Sequence, residues 1–256
     1  MSMMRELTFF LGLQVKQLKD GTFICQTKYT RDLMKKFGME EKSSVKILMN
    51  TSVKMDMDAD GKDVDQTRYR ALIGSLLYLT ANRPDITFAV GVCARFQSAP
   101  KESHMTAARR IIRYLKGCQE FGLWYPKEAN LNLTAFSDSD WATDIDDRRT
   151  TSGFCVYLGS NLVSWSSKKQ HTVSKSSTES EYTTLRSFCS QILWMIQVLT
   201  DYGVEEKTLT TYCDNSSAIN IFKNPVQHSR TKHIDIRHHF IRDLVKNKIV
   251  IIDFVT

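Results

Sequence analysis

What this chain lacks narrows its role first. No apolar run approaches the roughly 20 residues that cross a bilayer, so no membrane span is expected. The opening MSMMRELTFFLGLQV lacks the charged start, apolar stretch and small-residue cleavage pattern of a secretory signal, so export is not expected either. Cysteine is present but never paired: Cys25, Cys93, Cys118, Cys155, Cys189 and Cys213 lie far apart, with no CxxC. That spacing argues against zinc frameworks and disulfide scaffolds and for buried thiols in a reducing compartment.

What is present is a core-forming chain with an uneven charge. At 256 residues and 42% hydrophobic content, it has enough for one large domain or two modest ones. Residues 131–256 carry 14 Lys+Arg and 14 Asp+Glu, so residues 1–130 hold 21 of the 35 basic and 14 of the 28 acidic side chains, which is the whole net +7. A basic half beside a balanced half with clustered acids fits a polyanion-binding surface next to a metal site. A generic basic surface fits the charge equally well.

Periodicity divides the chain further. LTFFLGLQVKQLKDGTFICQTKY reads as two strands turning at Lys19-Asp20-Gly21. A helix through Tyr29, Leu33, Met34 and Phe37 stops at Gly38, and a polar connector runs from Met39 to about Thr67. YRALIGSLLYLTA and NRPDITFAVGVCARF read as helices, the second with Pro84 near its start. KESHMTAARRIIRYLKG gives a third, apolar through Met105, Ala108, Ile111, Ile112 and Leu115, with Arg109, Arg110, Arg113 and Lys116 lining the rest. A short strand GLWY ends at Pro126, and PKEAN is the expected domain boundary. Beyond it come LNLTAFSDS, GFCVYLG and NLVSWSS as strands, the last two meeting near Gly159-Ser160-Asn161. A long helix begins at Ser176 or Ser177 and keeps helical spacing through Tyr182, Leu185, Cys189, Ile192, Leu193, Ile196 and Leu199. Strand LTTYC, a helix from Asn215, a helix from about Thr231 to Lys246, and strand IVIIDFV complete a βββαβααβ order. That order predicts an α/β fold, a mixed sheet with flanking helices.

Three carboxylates stand where these elements begin or end: Asp138, Glu181 and Asp214. Each borders an apolar or β-branched run, so each could project from the core's edge into one cleft. Two such charges ~4 Å apart repel by roughly 4 kcal/mol at an effective dielectric of 20, so gathering three calls for a divalent cation, and Mg²⁺ is suited to it. Three unrelated acids facing solvent remain the other reading. Asp140 shares a strand face with Asp138, and pattern alone does not separate them. Glu181 is better placed than Glu179 because it borders the apolar stripe at Tyr182. Two further clusters carry less. Asp56, Asp58, Asp60 and Gly61 begin like a calcium loop, but Thr67 stands where the bidentate Glu belongs. His228, His233, His238 and His239 fit no common zinc spacing and read as a basic helix face. Trp141, Trp165 and Trp194 read as core residues first, with Trp141 a candidate for touching a nucleic-acid backbone.

Longer strings now carry a resemblance: LTFFLGLQV, TRYRALIGSLLYLTANRPDITFAV, RIIRYLKG, FSDSDWATDIDDRRTTSGFCVYLG, VSWSSKKQHTVSKSSTESEY, YCDNSSAI and HSRTKHIDIRHHFIRDL. Over essentially its whole length the chain resembles the Pol polyprotein of copia-type LTR retrotransposons. The resemblance implies that 1–126 is the C-terminal part of a reverse transcriptase (palm end, connector, thumb-like helices) and 131–256 an RNase H-like domain. It puts the metal carboxylates on Asp138, Glu181 and Asp214. The implied chemistry is two-metal hydrolysis of the RNA strand of an RNA–DNA hybrid with Mg²⁺, or Mn²⁺ in its place; Asp138 bridges the ions and Glu181 and Asp214 each hold one. Ser139, Arg148 and Arg149 are candidates for backbone contacts, and Arg109, Arg110, Arg113 and Lys116 for tracking phosphates. The remainder of a Pol polyprotein is the implied partner, and the implied setting is cytoplasmic, inside a virus-like particle of an intact element, or nuclear. Two departures are expected to matter. The family's paired polymerase aspartates are absent, so no polymerase activity is expected. The sequence also stops at DFVT, short of the family's fourth acid and last helix. A non-catalytic nucleic-acid-binding relic is the alternative.

Overall fold

The structure, a computed structural model, describes residues 7–49, 55–204, 208–223 and 239–255. It divides into two compact units, Met1–Glu128 and Ala129–Thr256.

The first unit joins a small antiparallel sheet to a helical cluster. Strands β1 (Phe9–Phe10), β2 (Leu13–Leu18), β3 (Gly21–Cys25) and β4 (Gly122–Pro126) pair in that order. Leu18 lies opposite Gly21, so Lys19-Asp20 is a two-residue hairpin turn. Gly21 has no room for a side chain: a Cβ there would strike the Tyr125 carbonyl of β4. Helix α1 (Thr27–Lys36) ends just before Gly38, whose φ of +65° suits glycine. Helix α2 (Gln66–Leu79) is capped by Asp65, which accepts from the amides of Thr67 (2.8 Å) and Arg68 (3.2 Å). After a 3₁₀ turn at Pro84–Ile86 come α3 (Thr87–Ala94) and α4 (Glu102–Gly117). Tyr69, Leu72, Ile73 and Leu76 of α2 pack with Val90 of α3 and with Ile111, Ile112 and Leu115 of α4.

The second unit has the βββαβααβ order expected of it: β5 (Leu133–Asp140), β6 (Thr151–Leu158), β7 (Asn161–Lys169), α5 (Ser177–Asp201), β8 (Leu209–Cys213), α6 (Ser216–Lys223), α7 (His239–Lys246) and β9 (Val250–Phe254). The sheet runs β7-β6-β5-β8-β9. The first three strands are antiparallel, β8 joins β5 in parallel, and β9 joins β8 in parallel, so the sheet is mixed. Leu133, Ala135 and Ser137 are buried on one face of β5, while Phe136, Asp138 and Asp140 alternate on the other and are exposed. The stripe of α5 packs onto the first face. Tyr182 stacks on Phe222 of α6 at 4.2 Å between ring centroids, and Phe188 stacks on Phe154 of β6 at 5.1 Å.

Some expectations change. The described part of the last long helix starts at His239; residues 231–238 and His228, His233 and His238 lie outside the described residues, as does the side chain of His239. Trp194 is 59% exposed, not core, because it lies two residues past Ile192 and so faces away from the α5 stripe. Trp141 is likewise exposed, and its indole N–H donates to the Ser174 carbonyl at 3.0 Å. All six cysteines are free; five are buried and Cys155 is half-buried.

Candidate functional site

Asp138 lies near the end of β5, Glu181 in the second turn of α5, and Asp214 one residue beyond β8. Parallel register brings the first and third to one level. Leu133 lies opposite Leu209 and Phe136 opposite Tyr212; the same offset carried two residues further sets Asp138 against Asp214, just past the end of the pairing.

Helix capping decides which glutamate joins them. The Ser176 hydroxyl accepts from the Glu179 amide at 3.1 Å, and the Glu179 carboxylate reaches back to accept from the Lys175 amide at 2.7 Å. This reciprocal arrangement occupies Glu179 at the helix entrance. Glu181, two residues on, is only 4% exposed. Its Oε1 accepts from both the amide (2.8 Å) and the hydroxyl (2.7 Å) of Ser139, the residue after Asp138. Its Oε2 lies 3.8 Å from the Cys213 thiol. One ligating atom each from Glu181, Cys213 and Asp214 fall within 4.8 Å of one another. The Asp138 carboxylate stands outside that tight group and joins it through charge.

The electrostatics show that coupling. Although Asp138 is exposed as a residue, partial desolvation of its carboxyl holds it above the usual range, and the charge of Asp214 adds to it; the Ser139 amide opposes, and Asp140 contributes least. Glu181 is pushed up to about 7, mainly by burial, against two hydrogen bonds from Ser139 and with the charges of Asp138 and Asp214 adding. The Cys213 thiol is pushed up to about 12, first by burial, so at neutral pH it is a neutral group. The carboxylates of Glu181 and Asp214, with that of Asp138 beside them and the charges of Asp138 and Asp214 both acting on Glu181, are a donor set that fits a hard divalent cation such as Mg²⁺ or Mn²⁺.

The remaining candidates divide. Ser139 commits both amide and hydroxyl to Glu181. Arg148 is exposed on the 141–150 loop with a φ of +57°. Arg149 approaches Asp147 at 3.5 Å in the same loop, which is pinned by buried Asp144 accepting from the amides of Asp146 and Asp147 and pairing with Lys169 at 2.6 Å. On α4, Arg109 is exposed, but three of its basic neighbours hold the connector. Arg110 donates to the Ile47 carbonyl at 3.0 Å, Arg113 to the Ser43 carbonyl at 2.8 Å, and Lys116 to the carbonyls of Lys42 (2.9 Å) and Glu40. Nothing in helical periodicity announces that clamp, because the carbonyls it meets belong to a chain segment about 70 residues away.

No family model matches the chain. Over 243 residues, 94% of this chain, it is 40% identical to the retrovirus-related Pol polyprotein from transposon RE2 of Arabidopsis thaliana, of which it spans 17%. Over 190 residues it is 38% identical to an uncharacterized mitochondrial protein of the same plant, covering 73% of this chain and 77% of that one. Among solved structures, a foamy viral protease–reverse transcriptase in complex with double-stranded DNA matches with a TM-score of 0.54 at 9% identity, over 98% of this chain and 38% of that one. At that identity the likeness is one of fold. No described helix is long and apolar enough to cross a membrane.

Proposed function

Because this chain belongs to the retrovirus-related Pol polyproteins of copia-type transposons, we propose that residues 131–256 act as an RNase H-like domain, hydrolysing the RNA strand of RNA–DNA hybrids. Residues 1–126 are then the C-terminal part of a reverse transcriptase, with no polymerase chemistry of their own. The observation that carries the reading is the parallel register of β5 and β8, which levels Asp138 with Asp214 while Ser139 ties Glu181 beside them.

Asp138, Glu181 and Asp214 are the residues that would hold the metal. When bound, Mg²⁺ (or Mn²⁺) supplies water activation and neutralises charge on the departing 3′ oxygen. The chain's own share is positional. Ser139 fixes one Glu181 oxygen with two donors, which leaves the other oxygen directed to the cluster. Cys213, buried and protonated, closes the inner wall. Arg148, exposed on the loop after β5, supplies positive charge for a phosphate backbone, and Arg109 does the same on α4. The working partners are a hybrid or another nucleic acid and the rest of a Pol polyprotein, in the cytoplasm, within a virus-like particle, or in the nucleus.

The deciding experiment is cleavage of a labelled RNA–DNA hybrid with Mg²⁺. Wild type is expected to cut the RNA strand, and Asp138→Asn and Asp214→Asn to lose roughly 100-fold or more. Equal, negligible cleavage by wild type and Asp138→Asn would instead establish the non-catalytic binding relic, provided hybrid affinity persists.

A further inference from the structure

Behind the carboxylates lies a buried polar network centred on Gln170. This residue follows β7, is 6% exposed, and anchors its own amide on the Thr150 carbonyl at 2.8 Å. Its side-chain nitrogen faces three oxygens: Ser152 Oγ at 3.0 Å, the Ser180 carbonyl at 3.1 Å and Thr184 Oγ1 at 3.4 Å. Its oxygen accepts from the Ser174 hydroxyl at 2.8 Å. An amide NH₂ has two protons, so the two closer partners, one on β6 and one on α5, are the ones it satisfies best. Ser152 and Thr184 also bond one another across the same gap at 2.7 Å.

The Ser180 carbonyl belongs to the residue immediately before Glu181. The Ser180 hydroxyl lies 2.7 Å from that of Ser139, the group that donates to Glu181. Apolar packing of the α5 stripe sets the helix's distance from the sheet but resists rotation and sliding weakly, because it is non-directional. Hydrogen bonds at the first turns are directional, and buried ones are costly to leave unmade. Gln170 therefore ties the start of α5 to the end of β7 at the residue next to Glu181, where a shift would misplace that carboxylate.

We infer that Gln170 is a positioning residue: it sets the rotation of the first turns of α5, and so the placement of the Glu181 carboxylate against Ser139. The value of that placement for metal binding rests on the nuclease reading, but the placement itself does not.

Two readouts on the full chain test this. Amide exchange at Ser139 N–H reports directly on its bond to Glu181, and calorimetric titration with Mn²⁺ alone reports on the cluster. Gln170→Ala is compared with Ile192→Ala, which cuts a buried side chain about three turns along the same helix, each at the same interval below its own melting temperature. Gln170→Ala is expected to speed Ser139 exchange at least tenfold and weaken Mn²⁺ at least fivefold, with less than a twofold change of either in Ile192→Ala. Ser174→Ala removes only the donor to the Gln170 oxygen; it is expected to give a two- to fourfold change in exchange, and it decides the matter if Gln170→Ala does not fold. Unchanged Ser139 exchange, or equal change in Gln170→Ala and Ile192→Ala, overturns the inference. Failure of wild type to bind Mn²⁺ overturns the nuclease reading instead, and the exchange result still decides the role of Gln170.

Discussion

Glu181 carries a carboxyl that prefers its proton up to about pH 7, where an ordinary one has lost it near 4.5. The folded state therefore holds that proton more tightly than the unfolded state. The stability this confers is fully present below the unfolded value and is lost as pH rises through about 7. A gap of that size corresponds to about 3 kcal/mol. Glu181→Gln is expected to flatten this part of the pH profile, matching wild type near pH 4 and exceeding its stability at pH 8 in urea unfolding. Saturating Mg²⁺ at pH 8 is expected to raise the melting temperature of wild type and to raise that of Glu181→Gln much less, since a cation relieves the same repulsion that the neutral amide removes. At this scale the sequence favoured Glu181 over Glu179 because it borders the apolar stripe at Tyr182. The cap adds the physical reason: Glu179 is held at the helix entrance by Ser176 and Lys175, and Glu181 is buried against β5.

Helices α4 and α5 show how far an element can be read from its own residues. For α5 the serine start and the apolar spacing were enough to give the helix, its cap and its buried face. Ser176→Ala is expected to cost about 1 kcal/mol in urea unfolding, the usual worth of an N-cap. For α4 the apolar face was equally legible, but the use of its basic side chains was not. Arg109→Ala is expected to lower hybrid affinity and to reduce the salt slope by about 1. Arg113→Ala is expected to leave that slope nearly unchanged and to speed hydrogen exchange in the connector from residue 40 to residue 47, since its guanidinium holds the Ser43 carbonyl. Identical salt slopes for the two variants would show that both, or neither, meet phosphate.

The whole chain folds as two units, each with its own buried cluster. Lys127 and Glu128 are exposed at the division, outside any helix or strand, with the Lys127 amide donating to the Asp20 carbonyl at 2.9 Å. Brief trypsin treatment is expected to cut after Lys127 before it cuts within α4 or α5, leaving two fragments stable to further digestion. Early cuts elsewhere, with Lys127 intact, would show that the segment is not the weak point.

The choice of Asp138, Glu181 and Asp214 came from the family resemblance; sequence pattern by itself determined most of the elements, the order βββαβααβ of the second unit, and the apolar faces of α4 and α5. These follow from local periodicity and capping chemistry, which act over a few residues. Tertiary structure alone decided the pairings between distant segments. Gly122–Pro126 closes a sheet begun at Phe9, and β8 lies parallel to β5 in the register that levels Asp138 with Asp214. It also decided which polar groups are already engaged: Ser139 with Glu181, Gln170 with Ser180, Arg113 with Ser43. A period tells which face of an element is apolar, whereas the partner of that face depends on how all the apolar faces are buried together.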